Sequence, residues 1–144
     1  MTTPTLSPPR ITPGGRREVG VVSVAIARIS GRITGTTPPN LFLTLGRHRR
    51  LFRGWLHFAS TQMPGGRLPR RETELVILRV AHRRACAYEL EQHQRLGRRA
   101  GLTPRQLAAV AAEQVGPGDG WSPRESAIFA AVDQLLDRHD IDDE

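Results

Sequence analysis

The chain has 144 residues and a mass of 16.0 kDa, which fits a single domain with one hydrophobic core. Hydrophobic residues make up 38% and charged residues 24%, a mixture that excludes a fully disordered chain. One cysteine excludes an internal disulfide framework and a multi-cysteine zinc finger. No apolar run approaches the roughly 20 residues that a membrane span needs, so no membrane partner is expected.

All 21 basic residues are arginine, and the net charge is +7. The last eight residues carry five acids and one arginine, so residues 1–136 carry +11. A basic body can hold nucleic acid or an anionic substrate. However, the arginine pairs are spread along the chain, and its richness in Ala, Gly and Pro indicates a coding bias toward arginine. A nucleic-acid partner is therefore not expected.

The N-terminal region predicts a flexible arm rich in Pro and Thr over residues 1–18, followed by a helical domain over residues 19–144. The apolar run Val19–Ile29 fits a short strand or a buried helix, and its periodicity does not decide between them. The run also imitates a secretion signal, but Glu18 interrupts its entry. We therefore expect a cytoplasmic protein.

Helices are predicted along the rest of the chain. One opens near Leu41 after a proline loop, a second covers 51–63, and a third starts at 68–72 and continues through Ala81. Gly101 predicts a helix stop, and capping boxes at Thr103–Gln106 and Ser122–Glu125 predict two helix starts, with a loop over 116–120 between them. The last helix is expected from Pro123 to about Arg138, with an inner face formed by Ile128, Phe129, Val132, Leu135 and Leu136. The run 140–144 resembles the start of another helix, so a domain cut short at its C-terminus is one expectation. The fold class is all-α.

Cys86, Glu89 and His93 are spaced by three and four residues, which places them on one face of a helix. A cysteine in the first turn of a helix, close to arginine or histidine, tends to be a nucleophilic thiolate. The alternatives are that Cys86 is a small buried hydrophobe and that His93 is a packing residue. Glu89 and His93 offer two metal ligands, but His82 lies about 16 Å away along a continuous helix. No metal and no cofactor are expected.

The motifs in this region resemble the carboxymuconolactone decarboxylase family, which includes proteins of the alkylhydroperoxidase D type. The resemblance covers roughly residues 33–115 and rests on Leu68–Ala81, Cys86–His93 and Arg99–Thr103, together with upstream Pro38–Phe42 and Met63–Gly66. It implies an all-α, alkylhydroperoxidase D-like fold that assembles as a homo-oligomer, a trimer or a hexamer.

The resemblance also implies a catalytic site. Glu74 matches the family's upstream glutamate, Cys86 the first cysteine and His93 the histidine. Position 89 matches the second cysteine of the redox branch, but this chain has Glu89 there. A dithiol–disulfide cycle is therefore not available, although a single thiol can still be oxidised to a sulfenic acid and reduced by an external thiol.

Four functions follow. The first is thiol-dependent peroxide reduction at Cys86, an antioxidant activity of the peroxiredoxin type on a small-molecule substrate. The second is non-redox acid–base chemistry on a carboxylated lactone by Glu74, Glu89 and His93, with Arg79, Arg83 or Arg84 forming a positive pocket. The third is a helix-turn-helix DNA-binding module over 94–110 whose second helix runs from 104 to 113. The fourth is a catalytically silent family member.

One geometric condition applies to any site that joins Glu74 and Cys86. On an unbroken helix these residues would lie about 18 Å apart. The chain must therefore turn near His82–Ala85, although no proline or glycine is present there. This break is implied by the resemblance alone.

Overall fold

The structure is a computed structural model that describes residues 9–35, 37–112, 115 and 120–142. Within these residues the chain is helical and contains no strand, which confirms the all-α fold class. The helices are α1 Arg16–Thr34, α2 Asn40–Leu45, α3 Arg49–Gln62, α4 Arg70–Arg83, α5 Ala87–Arg99, α6 Pro104–Ala109 and α7 Pro123–Arg138. They divide into two compact units, residues 1–63 and residues 64–144.

The N-terminal unit contains α1, α2 and α3. The undecided run Val19–Ile29 is helical, and the helix begins at Arg16, so the predicted arm boundary at residue 18 lies inside α1. The segment before the helix is also held, because Gly14 N–H donates to Leu43 O at 3.1 Å and Arg47 Nε donates to Thr12 O at 2.8 Å. Residues 1–8 of the arm lie outside the described part of the chain.

Helix α1 is interrupted once. Gly20 has φ 82° and ψ 165°, which breaks the helical backbone and starts a second helical segment at residue 21. Such a conformation strains any residue with a Cβ. The unit contains an aromatic cluster of Phe42, Phe52 and Trp55, whose ring centroids lie 5.4–6.3 Å apart.

The C-terminal unit contains α4 to α7, and α4 packs against both α5 and α7. Its core is a cluster of buried apolar side chains: Leu75, Leu78, Leu102, Val110, Trp121 and Phe129. Gly97 on α5 permits close packing there, since a Cβ at this position would lie 2.9 Å from Leu102 Cδ1. The core thus fixes α4 and α5 side by side.

The predicted helix boundaries of this unit hold well. Both capping boxes form, at Thr103–Gln106 and at Ser122–Glu125, and Gly101 ends α5 with φ 89°. Helix α7 ends at Arg138 as expected, although Leu135, predicted on its inner face, is 51% exposed. Four residues of the predicted loop, 116–119, lie outside the described residues.

Two further expectations are corrected. The second helix of the supposed helix-turn-helix ends at Ala109 rather than at 113, and Leu107 and Ala109 pack against the core. A six-residue helix held in this way offers little surface to a DNA groove. In the run 140–144, residues 140–142 form no helix, and residues 143–144 lie outside the described residues.

Candidate functional site

The turn between α4 and α5 positions the candidate site. Helix α4 ends at Arg83, and Ala85 adopts a left-handed conformation with φ 51°. Cys86 N–H donates to Ala81 O at 2.8 Å and Ala85 N–H donates to His82 O at 3.0 Å, the two hydrogen bonds of a Schellman motif. The required break near His82–Ala85 is therefore confirmed. Its chemical signal is weak, because alanine occupies the position where glycine is usual.

Glu74 and His93 meet across this helical hairpin. His93 Nδ1 lies 2.8 Å from Glu74 Oε2, and the Glu74 side chain is completely buried. The two residues are 19 positions apart, so only the packing of α4 against α5 brings them together. A buried carboxylate needs charged or polar partners. The second oxygen, Glu74 Oε1, has one in Arg70, whose Nη2 lies 2.5 Å away.

Glu89 occupies the other side of the imidazole. It lies one helical turn before His93 on α5, and its Oε2 is 3.2 Å from His93 Nε2. The Glu89 side chain is 36% exposed, whereas that of His93 is 12% exposed. His93 therefore lies between a buried carboxylate on Nδ1 and a solvent-facing carboxylate on Nε2.

These contacts determine the charge of His93. Burial alone would lower its pKa, but the hydrogen bonds to Glu74 and Glu89 and the attraction of both carboxylates outweigh burial and raise the pKa from 6.5 to about 9. His93 is consequently an imidazolium at neutral pH, with an N–H on each nitrogen. Arg70, Glu74, His93 and Glu89 then form a chain of alternating charges.

Cys86 lies outside this hydrogen-bonded set. It is the N-cap residue of α5 and is partly exposed. Its sulfur makes no hydrogen bond with Glu74, Glu89 or His93. Of the four residues predicted for the site, three are joined through His93, and Cys86 caps the helix that carries two of them.

The predicted positive pocket is wrong. Arg79 is completely buried and binds Asp133 with two hydrogen bonds, Nε–Oδ1 at 2.8 Å and Nη2–Oδ2 at 2.6 Å. Arg83 pairs with Asp137, and Arg84 Nη2 donates to Leu136 O at 3.2 Å. All three guanidinium groups bind residues of α7. For the buried Arg79, the lost solvation of its charge must be offset by such acids and carbonyl groups.

The arginine that does contact the site was missed. Arg70 lies four residues before Glu74 on α4, and an ion pair at this spacing is a sequence signal that was available. A metal site receives no support from the described residues, in which no three histidine, cysteine or acidic side chains are arranged to hold an ion. In the same part of the chain no helix is long and apolar enough to cross a membrane.

The comparisons with known proteins agree with this architecture. The model of the carboxymuconolactone decarboxylase family matches residues 49–134, which include all four predicted site residues. The chain belongs to the carboxymuconolactone decarboxylase family. Searches of curated proteins and of solved structures found no match.

Proposed function

We propose that this chain is an acid–base enzyme that transfers a proton at His93 Nε2 to a carboxylated, lactone-like substrate. The observation that carries this proposal is the hydrogen-bonded set Glu74–His93–Glu89. The sequence alone puts thiol chemistry first. The geometry favours proton transfer, because the imidazole is bound by two carboxylates and not by the sulfur.

The protonation state of His93 suits a decarboxylation. When the bond between a ring carbon and its carboxylate breaks, carbon dioxide leaves and the electron pair remains on the ring carbon, conjugated with the lactone carbonyl. That carbon must then take up a proton. An imidazolium with a pKa of about 9 carries one at neutral pH and supplies it as a general acid.

The two carboxylates have different roles in this proposal. Glu74 is buried, binds Nδ1 at 2.8 Å and fixes the orientation of the ring. Glu89 is more exposed and its distance to Nε2 is longer, at 3.2 Å, so Nε2 is the nitrogen that a substrate approaches. After the proton is transferred, Glu89 connects the ring to solvent for reprotonation.

The test is carbon dioxide release from an unsaturated γ-lactone bearing a carboxylate, measured with the full chain. We expect His93→Gln to lower turnover by about 100-fold or more. Cys86→Ser is the matched control on the same helix, and we expect it to retain turnover. Far-UV circular dichroism establishes that both variants keep their helices. Equal activity of His93→Gln and the unaltered chain would contradict the proposal.

A second candidate is thiol-dependent peroxide reduction at Cys86. It is supported by the place of Cys86 at the N-terminus of α5, where the helix dipole stabilises a negative charge, and by its partial exposure. The thiolate would attack one peroxide oxygen, the O–O bond would break, and the products would be a sulfenic acid and an alcohol. Two equivalents of an external thiol would then reduce the sulfenic acid and release water.

This second candidate has its own assay. Consumption of an alkyl hydroperoxide with excess dithiothreitol should be abolished by Cys86→Ser, since no other thiol is present in the chain. Peroxide turnover that survives this substitution would exclude Cys86 as the reacting group. A chain inactive in both assays would support the catalytically silent alternative.

The assembly and the location of the protein remain predictions. A homo-oligomer, a trimer or a hexamer, would be measured as its mass by light scattering. A cytoplasmic location would be measured by fractionation of the cells that make the protein.

A further inference from the structure

The positive charge of the chain is confined to its N-terminal unit. Residues 1–63 contain nine arginines and one acid, Glu18, whereas residues 64–144 contain twelve arginines and thirteen acids. Glu18 is already bound, since its Oε1 lies 2.6 Å from Arg47 Nη1. The other arginines of this unit have no acid of their own unit left to pair with.

Four of these arginines surround one cavity, which we call the arginine cavity. It has a volume of about 990 Å³ and lies among Arg16 and Arg17 of α1 and Arg49 and Arg53 of α3. All four side chains are exposed. Within the described part of the chain, none of them forms an ion pair or a hydrogen bond through its side chain.

The rest of the lining of the arginine cavity is mostly apolar. Val21 and Val22 line it and are 59% and 72% exposed, and Phe52 and Leu56 line it from α3. Exposed apolar side chains that are rimmed by polar or charged residues are typical of a binding surface. The volume lies within the range of small-molecule sites, roughly 300–1,000 Å³.

The break in α1 helps to build this cavity. A Cβ at Gly20 would lie 3.3 Å from Arg49 Nη2, so the missing side chain lets the guanidinium group lie close to the backbone. A new helical segment starts at residue 21, and the start of a helix adds to the positive potential of the arginines.

We propose that the arginine cavity binds an anionic amphiphile, a molecule with a carboxylate or phosphate head and an apolar chain. The arginines would bind the charged head of the ligand, and the valine and leucine side chains would pack against its apolar hydrocarbon chain. Nucleic acid is a poorer match, because its charged phosphate backbone would make no favourable contact with the apolar side chains of the cavity. A second copy of this face is also a poorer match, because symmetric contact would bring eight like charges together.

The test is a calorimetric titration of the full chain with dodecanoate below its micelle concentration. We expect saturable binding of one dodecanoate per chain, weakened by added salt. Dodecanol has no charge, and inorganic phosphate has no apolar chain. Each should bind at least about tenfold more weakly than dodecanoate, because dodecanol lacks the contact with the arginines and phosphate lacks the apolar contact. Dodecanol binding as tightly as dodecanoate would overturn the proposal.

Two matched double variants locate the site. Arg49→Gln with Arg53→Gln removes two arginines of the cavity, and Arg28→Gln with Arg50→Gln removes two arginines of the same unit that do not line it. We expect the first pair to weaken dodecanoate binding by at least about tenfold and the second pair to change it by less than about twofold. Equal weakening by both pairs would mean that overall charge, and not the cavity, attracts the ligand.

A third variant tests the proposal independently if the double variant Arg49→Gln, Arg53→Gln fails to fold. Val22→Asp changes an exposed position and places a negative charge at the cavity, so it should also weaken binding by about tenfold. Unchanged binding in this variant would overturn the proposal. So would retention of the chain on vesicles of anionic lipid without any saturable binding of free dodecanoate, which would indicate a membrane surface instead.

Discussion

The two compact units of this chain use the same residue type in different ways. In the described part of the C-terminal unit, seven arginines form ion pairs with acids of that unit. In the described part of the N-terminal unit Arg47 is the one arginine with such a partner. The first pattern stabilises a fold, and the second leaves charge available to a ligand.

Arg79 and Arg49 illustrate the difference. Arg79 is completely buried, binds both oxygens of Asp133 and donates from Nη1 to Val110 O and Ala112 O at 2.7 Å. Arg49 is exposed and lies against the backbone of Gly20 at the arginine cavity. Substitutions should therefore affect stability in one unit and binding in the other.

The largest expected effect is that of Arg79→Met. Removing the guanidinium leaves two carbonyl groups without their donor and Asp133 with only the longer ion pair to Arg83 Nε, at 3.8 Å, so we expect the free energy of unfolding to fall by about 3–5 kcal/mol. Urea denaturation measures it. Arg50→Met in the N-terminal unit is the control, expected within about 0.5 kcal/mol of the unaltered chain. Similar decreases in the free energy of unfolding for both substitutions would contradict the proposed difference between the two units.

The next effect is a pH dependence that belongs to the C-terminal unit. The pKa of His93 is 6.5 in the unfolded chain and about 9 in the folded one, so the folded state binds the proton more tightly. This stabilisation is fully present below pH 6.5 and is lost as the pH rises through 9. We expect a loss of about 2 kcal/mol over this window, reduced from the full shift because the site is partly open to solvent.

The control for the pH dependence is His93→Gln, which has no titrating group at this position. Its stability should change little between pH 6.5 and 9, measured as the urea midpoint at each pH. Parallel profiles for the variant and the unaltered chain would show that the imidazolium is not stabilised by Glu74 and Glu89.

A smaller difference in stability is expected between substitutions of two helical arginines, Arg71 in the C-terminal unit and Arg32 in the N-terminal unit. Arg71 Nε binds Glu125 Oε1 at 2.8 Å, and its Nη1 donates to Gly101 O at 2.7 Å, which ties α4 to the start of α7 and the end of α5. We expect Arg71→Gln to lower the free energy of unfolding by about 1–2 kcal/mol. Arg32→Gln in α1 should change it by less than about 0.5 kcal/mol. Thermal melting of both variants measures the difference.

The sequence predicts those features that depend on residues close together in the chain, and it predicts contacts between distant residues less well. Three such features depend on at most four consecutive residues: the capping boxes at Thr103 and Ser122 and the helix stop at Gly101. All three form as predicted. The run Val19–Ile29 stayed undecided, because an apolar stretch of that length fits a helix and a strand equally.

The contacts of the site are encoded over longer distances. Glu74 and His93 are 19 residues apart, and the family resemblance, rather than any local pattern, paired them. The sequence places Arg79 in a pocket for an anionic substrate, and its pairing with Asp133 could not be predicted because the two residues lie 54 positions apart. The turn at Ala85 was implied by the same resemblance, since the local residues contain no turn signal.

The smallest expected effect compares two turns of identical form within the C-terminal unit. Helices α4 and α5 both end in a Schellman motif, with Ala85 at the left-handed position of one and Gly101 at that of the other. Ala85→Gly should raise the free energy of unfolding by about 0.5–1 kcal/mol, and Gly101→Ala should lower it by about 1 kcal/mol. Ala85 is exposed, so the first substitution removes no packing that could mask the gain. Thermal melting measures both, and a loss in Ala85→Gly would mean that the folded backbone does not hold residue 85 in the left-handed region.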